Sequence, residues 1–164
     1  MESMYSPPVT ASQETLEVII KKPEAVDNVY GKYVSGGGGS GTFTIETAPN
    51  YIVSGAVVSI RYRGVAKAMD TSWVNNLMHI VCVYSGTQVK IYINSVLKNV
   101  GIASQNFVVN TPFRLGCTYN LIEQVLLAQV RLFGFYDSAF TAEQVLSNFN
   151  KYSAKGLCPR INIR

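Results

Sequence analysis

The chain is poor in the groups that carry out chemistry. It has one histidine, His79, three cysteines, and ten acidic residues scattered from Glu2 to Glu143. With one imidazole, set in an apolar run, no Ser/His/Asp or Cys/His order is readable, and a structural histidine is the expectation. A glycoside hydrolase needs two carboxylates in one cleft, and the dispersed acids form no such pair. Cys82, Cys117 and Cys158 are odd in number and lack CxxC spacing, which excludes a disulfide framework and a zinc ribbon. All three are expected to be reduced thiols, with Cys158 in the tail the one suited to intermolecular chemistry. No cofactor and no metal site is expected.

Long apolar runs are also missing. No stretch reaches the roughly 20 residues of a membrane helix. The opening MESMYSPPVTASQETLE has no basic segment followed by an apolar one, so neither a secretory signal nor membrane insertion is expected. Release with a particle such as a virion is then one route out of a cell. Charged residues make up 15% and the net charge is +4. The excess is diffuse, concentrated only at Lys21-Lys22, Arg61/Arg63/Lys67 and Arg160/Arg164, so no specific nucleic-acid arm is expected.

Against these absences, 48% of the 164 residues are apolar, enough for one domain with a proper core. The organising stretch is Leu77–Leu97. Ile80–Tyr84 and Val89–Ile93 are β-rich runs around Ser85-Gly86-Thr87-Gln88, a hairpin with a loop of about four residues. The first run is apolar on both faces and should lie deep. In the second, Lys90, Tyr92 and Asn94 alternate with Val89, Ile91 and Ile93, giving a wetter and a drier face.

Further strands are expected over Thr15–Lys21, Val29–Val34, Thr42–Glu46, within Val53–Arg63, over Val100–Val109 and Thr111–Cys117, and within Gln124–Tyr136. Ser59, Arg61 and Arg63 share one face of their strand, with Val58, Ile60 and Tyr62 on the other. Ser35–Gly41 reads SGGGGSG, the composition of a flexible hairpin connection, natural or engineered. It lacks the GK[ST] ending of a phosphate loop. Gly64–Asn76 reads as a connection and carries the only tryptophan, Trp73. Thr141–Tyr152 is a helix, with Thr141 and Gln144 as a capping box, Phe140 and Val145 as a hydrophobic staple, and Val145, Leu146 and Phe149 as the buried stripe. Residues 1–13 and 153–164 read as arms flanking a domain over 14–152.

Eight to ten short strands and a late helix predict an all-β antiparallel sandwich with one short C-terminal helix. The segments NNLMHIVCVYSGTQVKIYINSVLKNVG, FRLGC and LLAQVRLFGFYDSAFTAEQVLSNFNKY resemble the concanavalin A-like jelly roll of the laminin G type. Ile91-Tyr92-Ile93-Asn94 follows that family's Tyr-x-Asn-Gly strand end, Leu115-Gly116 its Leu-x-Ile-Gly strand, and Val130–Tyr136 its late strand. Thr141–Val145 falls on its closing helix, and TLEVIIKKPE on an early strand. Leu77 replaces a tryptophan, Ser95 the turn glycine, and Ala128 a glycine before the late strand. Asp27, Asp70 and Asp137 match no calcium ligand set, and no ExDxxE-like cluster of the related glucanases is present.

The resemblance implies a non-catalytic recognition module for a glycan or a protein partner. Trp73, Tyr62 and Tyr119 are candidate stacking platforms, and Arg61 and Arg63 a candidate grip on an anionic ligand or a partner subunit, the alternative being an ordinary wet sheet face. The alternative is a structural subunit of a virus, phage or other assembly. Its Pro- and Ser-containing arms would order by docking on neighbours in a homo- or hetero-oligomer.

Overall fold

The computed structural model describes residues 12–21, 31–36, 43–49, 56–69, 76–104, 114–115 and 129–158. They hold ten strands and one helix: β1 (Glu14–Lys21), β2 (Gly31–Gly36), β3 (Phe43–Pro49), β4 (Ala56–Tyr62), β5 (Val65–Met69), β6 (Leu77–Tyr84), β7 (Gln88–Ile93), β8 (Val96–Ile102), β9 (Arg114–Leu115), β10 (Gln129–Tyr136) and α1 (Ala142–Ala154). The strands form two five-stranded antiparallel sheets, in the orders β10-β1-β6-β7-β8 and β5-β4-β3-β2-β9.

Alternation along each strand sets the core between the sheets. Leu16, Val18 and Ile20 of β1, Met78, Ile80 and Cys82 of β6, and Val89, Ile91 and Ile93 of β7 pack against Phe43, Ile45, Ile60, Tyr62 and Val65 of the second sheet. The expected hairpin is β6 and β7, paired from Ile80↔Ile93 to Tyr84↔Val89. As expected, β6 is deep, buried from Met78 through Val83.

The outer face of the first sheet differs from its sequence pattern because α1 lies on it. Val81, Val83 and Tyr92 pack under Val145, and Ile19 packs with Phe149 and Cys158. Tyr92, on the face that alternation marks as wet, is therefore buried. Cys158 is buried too, which removes it from intermolecular chemistry. The capping box forms as expected, with the Gln144 N–H donating to Thr141 Oγ1 and the Thr141 N–H to Gln144 Oε1. Phe140 packs beside Val145, as the staple requires. Leu146, assigned to the buried stripe, is 45% exposed, and Ser153 is buried instead. At the helix end Gly156 takes φ +70°, the Leu157 N–H donates to the Tyr152 carbonyl and the Gly156 N–H to that of Ser153.

Two strands fall where the pattern misleads. Val65–Met69, inside the expected connection, is β5, turned back on β4 through Arg63 (φ 46°) and Gly64 (φ 86°) so that Tyr62 pairs with Val65. β8 begins at Val96, earlier than expected, after a second turn of positive φ at Asn94 and Ser95. β2 and β3 pair antiparallel, and Ser35 and Gly36, expected in the connection, belong to β2 opposite Thr44 and Phe43. Residues 1–11, 37–42 and 159–164, with Trp73, Cys117 and Tyr119, lie outside the described residues.

Candidate functional site

Strand β1 carries two glutamates, Glu14 and Glu17, each fully buried. Three positions apart, they point to opposite faces of the first sheet. Glu14 faces the second sheet. Its Oε1 accepts from Tyr62 Oη at 2.5 Å and from Arg63 Nε at 2.6 Å. The Arg63 guanidinium lies 4.1 Å from the centre of the Tyr84 ring, a cation–π contact. The arginine reaches Glu14 because it occupies the first position of the β4–β5 turn, where its backbone has already left the strand. Glu14 Oε2 has no hydrogen-bond partner.

Glu17 faces α1, and three elements besides β1 converge on it. His79 Nε2 of β6 is 2.7 Å from Oε1, and Tyr136 Oη of β10 donates to Oε2 at 2.9 Å. From α1, Asn148 Nδ2 lies 3.2 Å from Oε1 and Tyr152 Oη 3.4 Å from Oε2. Burial pushes the Glu17 carboxyl up, but the hydrogen bond and charge of His79, with the bonds from Tyr136 and Asn148, hold it net below its ordinary value. Burial and the Glu17 charge push the Tyr136 and Tyr152 phenols up. The His79 ring stacks on Phe149 with centroids 5.7 Å apart, and its Nδ1 has no partner. Gly134 pairs with Glu17 across β10, and its lack of a Cβ admits the Tyr136 ring: a Cβ there would sit 2.9 Å from Tyr136 Oη.

Neither cluster has the form of a catalytic centre. A glycosidase pair flanks one bond, whereas Glu14 and Glu17 are separated by the sheet itself. Burial and the Glu17 charge push the Cys158 thiol up to about 12, and burial pushes Cys82 up as well, so neither is a thiolate near neutral pH. Among the described residues, no group of three or more His, Cys, Asp or Glu side chains is placed to hold a metal ion.

The five residues singled out from the sequence do not come together. Tyr62 is fully buried in the core with its hydroxyl on Glu14, and burial and the Glu14 charge raise its phenol well above the usual range. It offers no stacking face to solvent. Arg63 is buried beside it and spent on Glu14 and Tyr84, away from the face of Arg61. Arg61 is half-buried on the outer face of the second sheet, paired across with Thr44 and Ala66. Thr44 and Ser59 share that face, both buried with unpartnered hydroxyls. Trp73 and Tyr119 lie outside the described residues. Sequence reasoning missed Glu14, Glu17 and the partners of His79. The one available signal was a carboxylate at each end of Glu14-Thr15-Leu16-Glu17 in an otherwise apolar strand.

The Laminin_G_3 model, described as concanavalin A-like lectin/glucanases superfamily, matches residues 5–146. No curated protein sequence matches the chain. Among solved structures, the chain resembles a putative carbohydrate binding protein from Bacteroides ovatus with TM-score 0.66 and 16% identity, over 88% of this chain and 43% of that one. It resembles the binding domain of Botulinum neurotoxin DC, solved with rat synaptotagmin II, with TM-score 0.62 and 14% identity, over 86% and 36%. It resembles Trypanosoma rangeli sialidase, solved with sialic acid, with TM-score 0.67 and 11% identity, over 92% and 24%. At these identities the likeness is one of fold, and the chain spans less than half the length of each. A two-sheet sandwich closed by a capped helix, matched by the family model over most of its length, makes this chain a member of the Laminin_G_3 family of the concanavalin A-like lectin/glucanases superfamily.

Proposed function

We propose that this chain is a non-catalytic recognition module that binds a glycan or a protein partner. The observation that carries the reading is how the reactive groups are spent. Glu14, Glu17 and His79 are consumed in joining layers, and the described thiols Cys82 and Cys158 are buried and protonated. What remains for function is surface. The class of partner is supported by two neighbours of the fold, a putative carbohydrate binding protein and a neurotoxin binding domain solved with the protein synaptotagmin II. Arg61, half-buried on the outer face of the second sheet, is one contact we assign, and Trp73 and Tyr119 are assigned as stacking residues on their chemistry alone.

A glycan array followed by titration of Trp73 fluorescence tests the glycan arm. The expected result is a saturable change with one glycan class, with an affinity that falls at least about tenfold in Trp73→Ala or Arg61→Ala when the variants are measured by calorimetry, which needs no tryptophan. Silence across broad glycan classes leaves the protein arm. Release of reducing ends from any bound glycan would overturn the non-catalytic reading.

A further inference from the structure

The outer face of the first sheet is only partly roofed. The helix α1 covers β1, β6 and Tyr92 of β7, and stops short of β8, the edge strand. Register places Leu97 beside Tyr92, Val100 beside Lys90 and Ile102 beside Gln88, so these three residues of β8 share the face on which α1 sits. All three are exposed, Ile102 to 72%. Leu146 adds a fourth apolar group from the helix. Asn148 reaches Glu17 on one flank of α1, and Leu146 is about 200° away around the helix, so it lies on the flank toward β7 and β8. The result is a ledge with α1 as its wall, Lys90 and Tyr92 on its floor, and Leu97, Val100 and Ile102 along its rim. Contiguous aliphatic exposure of this kind marks an interaction site.

The chemistry around the ledge narrows what fits it. No aspartate or glutamate occurs between Asp70 and Glu123, a stretch that includes all of β6, β7 and β8. Lys90 stands opposite Val100, and Lys98 bulges from β8 as a residue without a register partner. Glu143, whose charge reaches Tyr92, is the one acid near the ledge among the described residues, at the start of α1. A second copy related by a two-fold axis would bring like lysines together. A sugar lacks a platform, because the rim is aliphatic. Strand addition is opposed by the bulge and by Asn99, whose Oδ1 accepts from the Val100 N–H while its Nδ2 donates to the Ala66 carbonyl of β5. A segment seated on the face meets none of these obstacles.

We propose that the ledge between α1 and β8 docks an amphipathic helical segment of a partner protein, one that lays apolar side chains on Leu97, Val100, Ile102 and Leu146 and carboxylates on Lys90 and Lys98. From Leu97 to Ile102 the rim runs about 16 Å, room for about three helical turns. This surface is separate from the face that carries Arg61, so its failure leaves the recognition reading intact.

The test is selection of a phage-displayed random peptide library on the full chain, followed by affinity measurement on synthetic winners. The expected winners combine acidic and apolar residues at helical spacing, and their affinity falls as salt rises. It also falls at least about tenfold in a Val100→Ser, Ile102→Ser chain and again in Lys98→Glu. All three substitutions are at exposed positions, so the fold is retained. No convergent winners, winners that are neutral or basic, or winners indifferent to these variants would overturn the proposal. So would variant-sensitive sedimentation with phosphatidylcholine–phosphatidylserine vesicles, or variant-sensitive dimerisation, since each assigns the ledge to another occupant.

Discussion

Glu14 and Glu17 sit on one strand, three residues apart and equally buried, yet their surroundings differ in kind. Glu14 holds a guanidinium that cannot shed its proton, and one of its oxygens is left without a hydrogen bond. Glu17 holds an imidazole that can become neutral, and both its oxygens are engaged. The first pair ties the two sheets together, whereas Glu17 and His79 stand on neighbouring strands of one sheet and Glu17 ties the helix to it through Asn148 and Tyr152. Burial alone therefore does not fix the worth of a buried carboxylate. The partner's ability to adapt its charge is expected to set it.

The largest loss is expected at Glu14. Glu14→Gln keeps an acceptor for Tyr62 but strips Arg63 of its counter-charge in the interior. A loss of about 3–5 kcal/mol is expected, read from the urea midpoint at constant slope. The same change at Glu17 leaves His79 free to become neutral, and its expected cost is only about 2 kcal/mol. In hydrogen exchange the first variant should expose amides of β1 and β4, and the second those of α1. Equal losses at the two sites would sink the idea that partner chemistry decides.

Acid probes the Glu17 side by itself. The Glu17 carboxyl is held below its ordinary value of 4.5 in the folded chain. Its contribution to stability is thus fully present above pH 4.5 and is lost as pH falls through the folded value below it. Chemical denaturation of the wild type and of Glu17→Gln across this window should show a shallower acid decline in the variant. A decline of unchanged slope would mean that Glu17 does not drive it.

Gly134 gives a smaller break on the Glu17 side alone. In Gly134→Ala the new Cβ meets the Tyr136 ring, which must swing away from Glu17, at a cost of about 1–2 kcal/mol. Adding Tyr136→Phe should then cost little more, because the bond is already gone. Additive losses in that double-mutant cycle would show that the glycine does not make room for the tyrosine.

Much of the frame was legible in the chain. The β6–β7 hairpin, β1 and the capped helix carry their own local signals, and these agree with their tertiary setting. β5 was not legible, because Ala66, Lys67 and Ala68 have low strand propensity and its turn uses Arg63-Gly64 in place of Asn-Gly. The early start of β8 was hidden by the bulge at Lys98, which breaks alternation. The buried clusters were hidden for another reason. Glu17 meets Asn148 and Tyr152 across 131 and 135 residues of chain, and no local pattern reports a contact made by packing a helix on a sheet.

The smallest expected effect supplies a control. Ser95 is held at φ 66°, where a Cβ is strained and glycine is not. Ser95→Gly should stabilise the chain by about 1 kcal/mol. The turn it relaxes also grips His79 by its backbone: the His79 N–H donates to Asn94 Oδ1 and the Asn94 N–H to the His79 carbonyl. If the turn acts only on backbone strain, the gain should be the same in the wild type, Glu14→Gln and Glu17→Gln. A gain that shrinks only with Glu17→Gln would show that the turn stabilises by presenting His79 to its carboxylate. The contrast between the two glutamates would then extend to the hairpin that holds one of their partners.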